Sequence, residues 1–103
     1  MKYIKVEVFV PADDKWKVID GLNEKEILKD NGYDSVFAES VVTGHFIPLE
    51  GSNPDKGEIG KPCEVNEVKL EFRIKTEDKE KVFEIIKSNH PYEVPVINFL
   101  ELL

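Results

Sequence analysis

The chain has 103 residues, of which 41% are hydrophobic and 34% charged, and its formal net charge is −7. These values predict one globular domain spanning residues 1–103. They argue against a nucleic-acid partner, because phosphate binding needs clustered Lys and Arg. No run approaches the roughly 18 consecutive apolar residues of a membrane-spanning helix, so we expect no membrane segment.

Two further features bear on the compartment. The apolar residues near the N-terminus alternate with charges, which argues against a secretory signal peptide. Cys63 is the only cysteine, so an internal disulfide is excluded and a reducing environment fits. We therefore expect a cytoplasmic protein.

The first half of the chain predicts a strand, a helical region and a second strand. Residues 2–10 alternate apolar and charged side chains, which is the period of a strand with one buried face. A helical pattern covers residues 15–29, but Gly21 in its interior leaves two alternatives, one imperfect helix or two short ones. Asn31 and Gly32 end this region, and a strand is predicted over residues 35–42.

The second half predicts a strand, a helix and a last strand. Residues 65–75 alternate most clearly, and a helix then begins near Thr76 or Asp78 and ends before Pro91. A final strand is predicted over residues 94–102. The order βαββαβ predicts an α+β ferredoxin-like sandwich, an antiparallel sheet with the first and third strands central and both helices on one face.

This fold leaves one sheet face without helices. The alternation along the first and last strands predicts that four apolar side chains lie there among charged ones: Tyr3, Phe9, Ile97 and Phe99. An uncovered face with scattered aromatic residues predicts a partner surface, most economically for another copy of the chain.

A long connection between the second and third strands, residues 43–62, is the most unusual segment. It holds four of the six glycines and three of the six prolines. Connections longer than about 12–15 residues are uncommon in compact domains and are often functional. Phe46 and Leu49 supply apolar anchors, so we predict an ordered loop that packs both side chains against the corner formed by His90, Pro91 and Tyr92. If Phe46 is fully buried, Phe46→Ala is expected to cost about 3–5 kcal/mol.

The sequence contains no set of residues that predicts catalysis. It lacks a nucleophile elbow, a dinucleotide fingerprint and a phosphate-binding loop. The two histidines, His45 and His90, together with Glu93 and Cys63, are candidate metal ligands, but their spacing lacks any compact metal-binding pattern. Hydrogen bonding of each histidine to loop backbone is the favoured interpretation, with metal ligation as the alternative.

Two motifs carry a resemblance to a known family. The first runs Thr43-Gly44-x-Phe46-x-Pro48-Leu49-Glu50-Gly51-Ser52-Asn53-Pro54, and the second is His90-Pro91-Tyr92-Glu93-x-Pro95. Together they resemble the YqfO-type domain. That domain occurs as a free-standing protein and as an insert in the NIF-three-like dinuclear-metal proteins named GTP cyclohydrolase I type 2 homologs.

The resemblance implies a ferredoxin-like domain akin to PII signalling proteins and to CutA, which are commonly trimeric. It also implies that the metal ligands of the longer family members lie in domains other than this one. PII proteins carry their partner-binding loop between the second and third strands, where residues 43–62 lie. The predicted function is therefore a non-enzymatic, homo-oligomeric module for ligand sensing or protein interaction.

The alternative function is a CutA-like divalent-metal binder using His45, His90 and Glu93. No resident cofactor is expected apart from such a metal. The candidate ligand- or partner-binding residues come from the two motifs: Thr43, Gly44, His45, Phe46, Gly51, Ser52, Asn53, His90, Tyr92 and Glu93.

Overall fold

The structure is a computed structural model that describes residues 2–103. No helix in this part of the chain is long and apolar enough to cross a membrane. Short 3-10 turns precede both α-helices. In chain order the main elements are β1 (Tyr3–Pro11), α1 (Lys15–Glu24), β2 (Ala38–Phe46), β3 (Cys63–Lys75), α2 (Lys79–Asn89) and β4 (Ile97–Glu101).

The four strands form one antiparallel sheet in the order β2-β3-β1-β4. The central strands are β1 and β3, and both helices cover the same face. The predicted α+β ferredoxin-like architecture is therefore confirmed. The strands β2 and β4 form the two edges, so each has one side without a hydrogen-bonded neighbour in the sheet.

The hydrophobic core lies between the sheet and the two helices. Alternate residues of β1 and β3 point into it because successive side chains of a strand face opposite sides. Gly21 lies inside α1 against Asn89 of α2, where any Cβ would overlap the asparagine side chain, so glycine lets the two helices approach closely. The fully buried side chains of this core include Val6, Val8, Val10, Val18, Ile19, Leu22, Leu70, Val82 and Ile86.

The helical region after β1 is one helix and is shorter than predicted. It ends at Glu24 instead of residue 29, because the backbone turns back there and the amide of Ile27 donates to the carbonyl of Leu22 at 3.0 Å. Glu26 takes a positive φ of 59° in this turn. The turn places Leu28 in the core, 2% exposed, which accounts for the apolar pattern that continues beyond the helix.

The edge strands also differ from their predicted bounds. The second strand begins at Ala38 and continues to Phe46, so residues 43–46 belong to β2 and the loop is residues 47–62. This extension forms because β3 starts early, and Cys63 lies opposite Phe46 in the ladder. The last strand begins at Ile97 and not at residue 94.

The uncovered face has a different apolar composition from the predicted one. Ile97 lies opposite Val8 and Phe99 opposite Val6, and directly paired residues share a face. Ile97 and Phe99 therefore pack against the core, and their prediction as outward-facing residues was wrong. The predicted alternation along β4 is correct, but the set of residues predicted to face outward is shifted by one position. The register of β4 against β1 decides which set faces the core. We call the side of the sheet opposite the helices the open face.

Candidate functional site

A cleft with a volume of about 450 Å³ lies at one end of the open face. It is bounded by β2, the loop 47–62 and the segment 90–96, which connects α2 to β4. The two motifs, about 40 residues apart in sequence, meet here. Of the predicted site residues, Thr43, Gly51 and His90 do not line the cleft. Those that do are Gly44, His45, Phe46, Ser52, Asn53, Tyr92 and Glu93.

The buried carboxylate of Glu67 lies at the base of the cleft. Glu67 is on β3 and is 7% exposed, and its Oε2 accepts a hydrogen bond from the Tyr92 hydroxyl at 2.9 Å. Gly44 on β2 makes room for it, since a Cβ at that position would overlap the carboxylate. A side chain at position 44 would thus displace Glu67, which explains the glycine in the first motif.

His90 fixes the backbone on which Tyr92 is carried. Its Nε2 lies 2.6 Å from the carbonyl oxygen of Phe9, and its Nδ1 accepts a hydrogen bond from the Tyr92 amide at 3.1 Å. One ring nitrogen must donate and the other must accept, which assigns the neutral ring with its proton on Nε2. Burial lowers the pKa of His90, against the smaller raising effects of the Phe9 carbonyl and the Glu67 charge.

An aromatic wall joins the two motifs. The rings of Phe46 and Tyr92 meet edge to face with centroids 6.2 Å apart, and the ring of His90 lies 5.1 Å from that of Tyr92. Desolvation, followed by the hydrogen bond to Glu67, raises the pKa of Tyr92, so the phenol stays protonated at neutral pH. The predicted packing of Phe46 on this corner is confirmed, although Phe46 is only partly buried.

The other predicted loop anchor, Leu49, is 70% exposed, so the prediction that it packs against the corner formed by His90, Pro91 and Tyr92 was wrong. The loop turns on itself there, because both the amide and the hydroxyl of Ser52 donate to the Leu49 carbonyl, at 3.0 and 2.7 Å. A polar contact fastens the loop instead. The amide of Asn53 donates to Oε1 of Glu93 at 3.0 Å.

The candidate metal ligands are engaged separately. His45 is on an exposed part of β2, and its Nδ1 lies 3.7 Å from Oε1 of Glu64 on β3. Both ring nitrogens of His90, in contrast, are in hydrogen bonds. Glu93 accepts from the loop. Among residues 2–103, no three His, Cys, Asp or Glu side chains are grouped so that they could hold a metal ion. The favoured interpretation from the sequence, that each histidine hydrogen-bonds to backbone, is correct for His90 only.

The protein is similar to known proteins both in sequence and in structure. The sequence family described as CutA1 divalent ion tolerance protein matches residues 59–103. The structure of CutA1 from Oryza sativa superposes with a TM-score of 0.72 at 16% identity, covering 100% of this chain and 82% of that one. The Bacillus cereus protein related to NIF3 superposes with a TM-score of 0.81 at 29% identity, covering 98% of this chain and 26% of that one.

These findings define the class as a ferredoxin-like α+β domain with the CutA1 fold. More particularly, the chain is 38% identical over 100 residues to a Staphylococcus aureus protein named GTP cyclohydrolase 1 type 2 homolog, covering 97% of this chain and 27% of that protein. The chain thus spans about a quarter of the length of the curated relatives it matches. The predicted resemblance to NIF-three-like and CutA-like proteins is confirmed, while the narrower YqfO-type assignment stays a prediction.

Proposed function

We propose that residues 1–103 form one non-enzymatic, homo-oligomeric PII/CutA-like module that acts in the cytoplasm. In this proposal the cleft binds a small molecule or a group of a protein partner, for sensing or regulation. The observation that carries the proposal is the meeting of both motifs around the buried carboxylate of Glu67.

The shape and chemistry of the cleft support ligand binding. Ligand pockets commonly measure about 300–1,000 Å³ and combine apolar walls with a few fixed polar groups. Here the walls include Phe46, Pro48 and Val96. The fixed polar group is the carboxylate of Glu67, for which Gly44 leaves room and to which the Tyr92 hydroxyl donates a hydrogen bond. A site held in place before binding loses less conformational entropy when the ligand enters.

The hydrogen bonds of His90 support a binding role over a catalytic one. A general base must reach the proton it removes. Both nitrogens of His90 instead contact Phe9 and Tyr92, and the ring does not line the cleft. We therefore assign His90 to positioning Tyr92.

The sheet edges and the open face support assembly. The edge strand β2 carries Val41, which is 85% exposed, and unpaired strand edges readily accept a neighbouring strand. Ion pairs cross the centre of the open face, from Lys69 to Glu71 at 2.8 Å and from Lys5 to Glu71 at 3.3 Å. A mixed polar and apolar interface is thus expected. The number three comes from the resemblance to PII and CutA.

Sedimentation equilibrium over a wide concentration range tests the assembly. We expect a mass near three times the 11.8 kDa of one chain. A monomeric mass at tens of micromolar would leave the ligand site in place but remove the oligomeric part of the proposal.

Divalent-metal binding is the second candidate, and the match to the CutA1 divalent ion tolerance family favours it. We expect weak binding, because a metal at His90 would have to break a hydrogen bond to Phe9 or Tyr92. Calorimetric titration with zinc, nickel and copper is the test. Submicromolar affinity that His45→Gln or His90→Gln abolishes would place this candidate first.

A ligand-observed NMR screen with cationic, neutral and anionic fragments tests the cleft itself. Val94 lines the cleft at its rim and is 79% exposed, so Val94→Trp fills the entrance without disturbing the core. Leu49→Trp is the matched control, because Leu49 is 70% exposed in the loop 47–62 but does not line the cleft.

We expect fragments of at least one charge class to bind the unmodified protein and Leu49→Trp, and to lose binding to Val94→Trp. Binding that Val94→Trp leaves unchanged, or no binding in any class, would contradict a ligand site in the cleft.

A further inference from the structure

We infer that the cleft takes an organic cation, an ammonium or guanidinium group on a short apolar stem. The inference rests on the proposed function of the cleft and names the chemical class of its ligand. It follows from the charge of the cleft, from its aromatic walls and from a second cation-holding arrangement elsewhere on the open face.

The cleft carries more negative than positive charge. Three carboxylates line it, those of Asp55, Glu67 and Glu93, against the single ammonium of Lys56. Lys56 lies 3.8 Å from Asp55, and one oxygen of Glu93 accepts from the loop. Glu67 and Glu93 thus each accept one hydrogen bond from a neutral donor, and Glu67 is the buried one of the two.

One oxygen of Glu67 is free to accept from a ligand. Its Oε2 accepts from Tyr92, whereas its Oε1 has no hydrogen-bond donor among residues 2–103. Glu67 is 7% exposed, and the cleft is the surface that it lines. The Glu67 residue is largely buried, and a cationic N–H group that enters the cleft would give its Oε1 a charge-assisted hydrogen bond.

Aromatic rings supply the second element of recognition. Phe9, Phe46 and Tyr92 line the cleft, and the negative face of such rings attracts an ammonium or guanidinium group. Their apolar surface, with that of Val94 and Val96, also suits a short alkyl stem.

The opposite end of the open face already holds a cation in this manner. The guanidinium of Arg73 donates to both oxygens of Asp30, at 2.7 and 3.1 Å, and its carbon lies 4.4 Å from the centre of the Tyr3 ring. A carboxylate and an aromatic ring thus contact the guanidinium of the chain's own Arg73 there. The cleft offers the same two groups, Glu67 and the ring of Tyr92 or Phe46, to a cation from outside the chain.

The same chemistry fits an organic cation better than a hard metal ion. Calcium and magnesium take six or more oxygen ligands. Glu67 has one uncommitted oxygen, and the aromatic, proline and valine side chains around it are poor ligands for such ions.

Calorimetric titration of the full chain at low salt tests the inference with a matched pair of probes. The probe n-butylguanidinium carries the charge, and n-butylurea has nearly the same size and shape without it. We expect the cation to bind at least tenfold more tightly. Equal affinity for the two probes, or tighter binding of the urea, would overturn the inference, and this outcome depends on no variant.

Two variants locate the cation. Glu67→Gln keeps the volume and an oxygen for the Tyr92 hydroxyl, and we expect it to weaken n-butylguanidinium binding at least tenfold. Glu71→Gln is the control, because Glu71 lies on the same strand and face but outside the cleft, and binding should stay within twofold. An equal effect of both variants would indicate general electrostatic attraction and would contradict the site.

The two sources of such a cation are separated by a third probe, the peptide acetyl-Gly-Arg-Gly-amide. Tighter binding of the peptide indicates the basic side chain of a protein, and tighter binding of n-butylguanidinium indicates a free small molecule. If instead neutral or anionic fragments bind and Val94→Trp removes them, the cation inference fails while the proposed ligand site stands.

Discussion

The two ends of the open face are built from the same kinds of groups but differ in burial. At the far end the Asp30 carboxylate holds Arg73 over the ring of Tyr3, and these side chains are accessible to water. At the cleft end the carboxylate of Glu67 is buried against Gly44 and holds only the hydroxyl of Tyr92. At the far end both oxygens of Asp30 accept hydrogen bonds from Arg73, whereas at the cleft end only one oxygen of Glu67 accepts a hydrogen bond from a residue in the range 2–103.

The difference in burial favours the cleft end as the ligand site, although a larger cavity of about 770 Å³ lies beside Tyr3, Asp30 and Arg73 at the far end. An exposed ion pair in water contributes little, since solvent and salt screen both partners. A buried carboxylate meets a lower effective dielectric, so each hydrogen bond that it gains or loses matters more.

Filling the space above Glu67 should have the largest effect. We expect Gly44→Val to lower the free energy of unfolding by about 3 kcal/mol, because the added side chain overlaps the carboxylate. Chemical denaturation measures it, with Ser40→Val on the same strand as control. Combining Gly44→Val with Glu67→Ala should cost less than the sum of the two single changes, and strict additivity would contradict the overlap.

Removing the hydroxyl at the cleft should cost less. Tyr92→Phe leaves the buried Glu67 without its donor, and we expect a loss of about 1.5 kcal/mol in the free energy of unfolding. The matched change at the far end, Tyr3→Phe, is expected to stay within about 0.5 kcal/mol, since the hydroxyl there has no hydrogen bond to a residue in the range 2–103. Equal losses at both ends would remove the contrast.

Acid should weaken the cleft end before the far end. The pKa of His90 is lowered by burial in the folded state, so the unfolded chain binds its proton first, near pH 6.5. The contribution of neutral His90 to the free energy of unfolding is therefore fully present above pH 6.5. It is lost as the pH falls from there through the folded pKa, with a slope of at most about 1.4 kcal/mol per pH unit.

Denaturation curves between about pH 7.5 and about pH 5 measure this slope, because the side chains of Asp and Glu ordinarily titrate at about pH 4 and stay mostly charged over that range. The variant His90→Gln should flatten it. An unchanged slope in that variant would show that another group carries the pH dependence.

The smallest effect is expected at the exposed ion pair. The Arg73 guanidinium lowers the pKa of Asp30 through its hydrogen bonds. Asp30→Asn should shift the denaturation midpoint less than Tyr92→Phe does, and the shift should shrink at high salt. A salt-independent shift larger than that of Tyr92→Phe would reverse the order of the two ends.

The sequence predicted the fold because its strands alternate clearly and its two helices carry apolar stripes. It also predicted that Phe46 meets the His90 corner, since both motifs are apolar and irregular. The faces of Ile97 and Phe99 were not predictable, because they depend on the register between β1 and β4. Periodicity within one strand carries no information about that register.

Glu67 was missed as a site residue for a similar reason. In sequence it is one of several outward charges of an alternating strand, and nothing nearby distinguishes it from Lys69 or Glu71. Its burial arises from residues distant in sequence, Gly44 on the neighbouring strand and Tyr92 beyond α2. A glycine in a strand does signal close approach, but only the ladder shows what approaches.

Amide chemical-shift mapping of the isotope-labelled protein during titration with n-butylguanidinium shows which end of the open face binds the cation, because it reports both ends at once. We expect concentrated shifts at Gly44, Asn53 and Tyr92, and none above background at Asp30 and Arg73. Shifts centred on Asp30 and Arg73, or spread evenly over the acidic surface, would contradict this expectation.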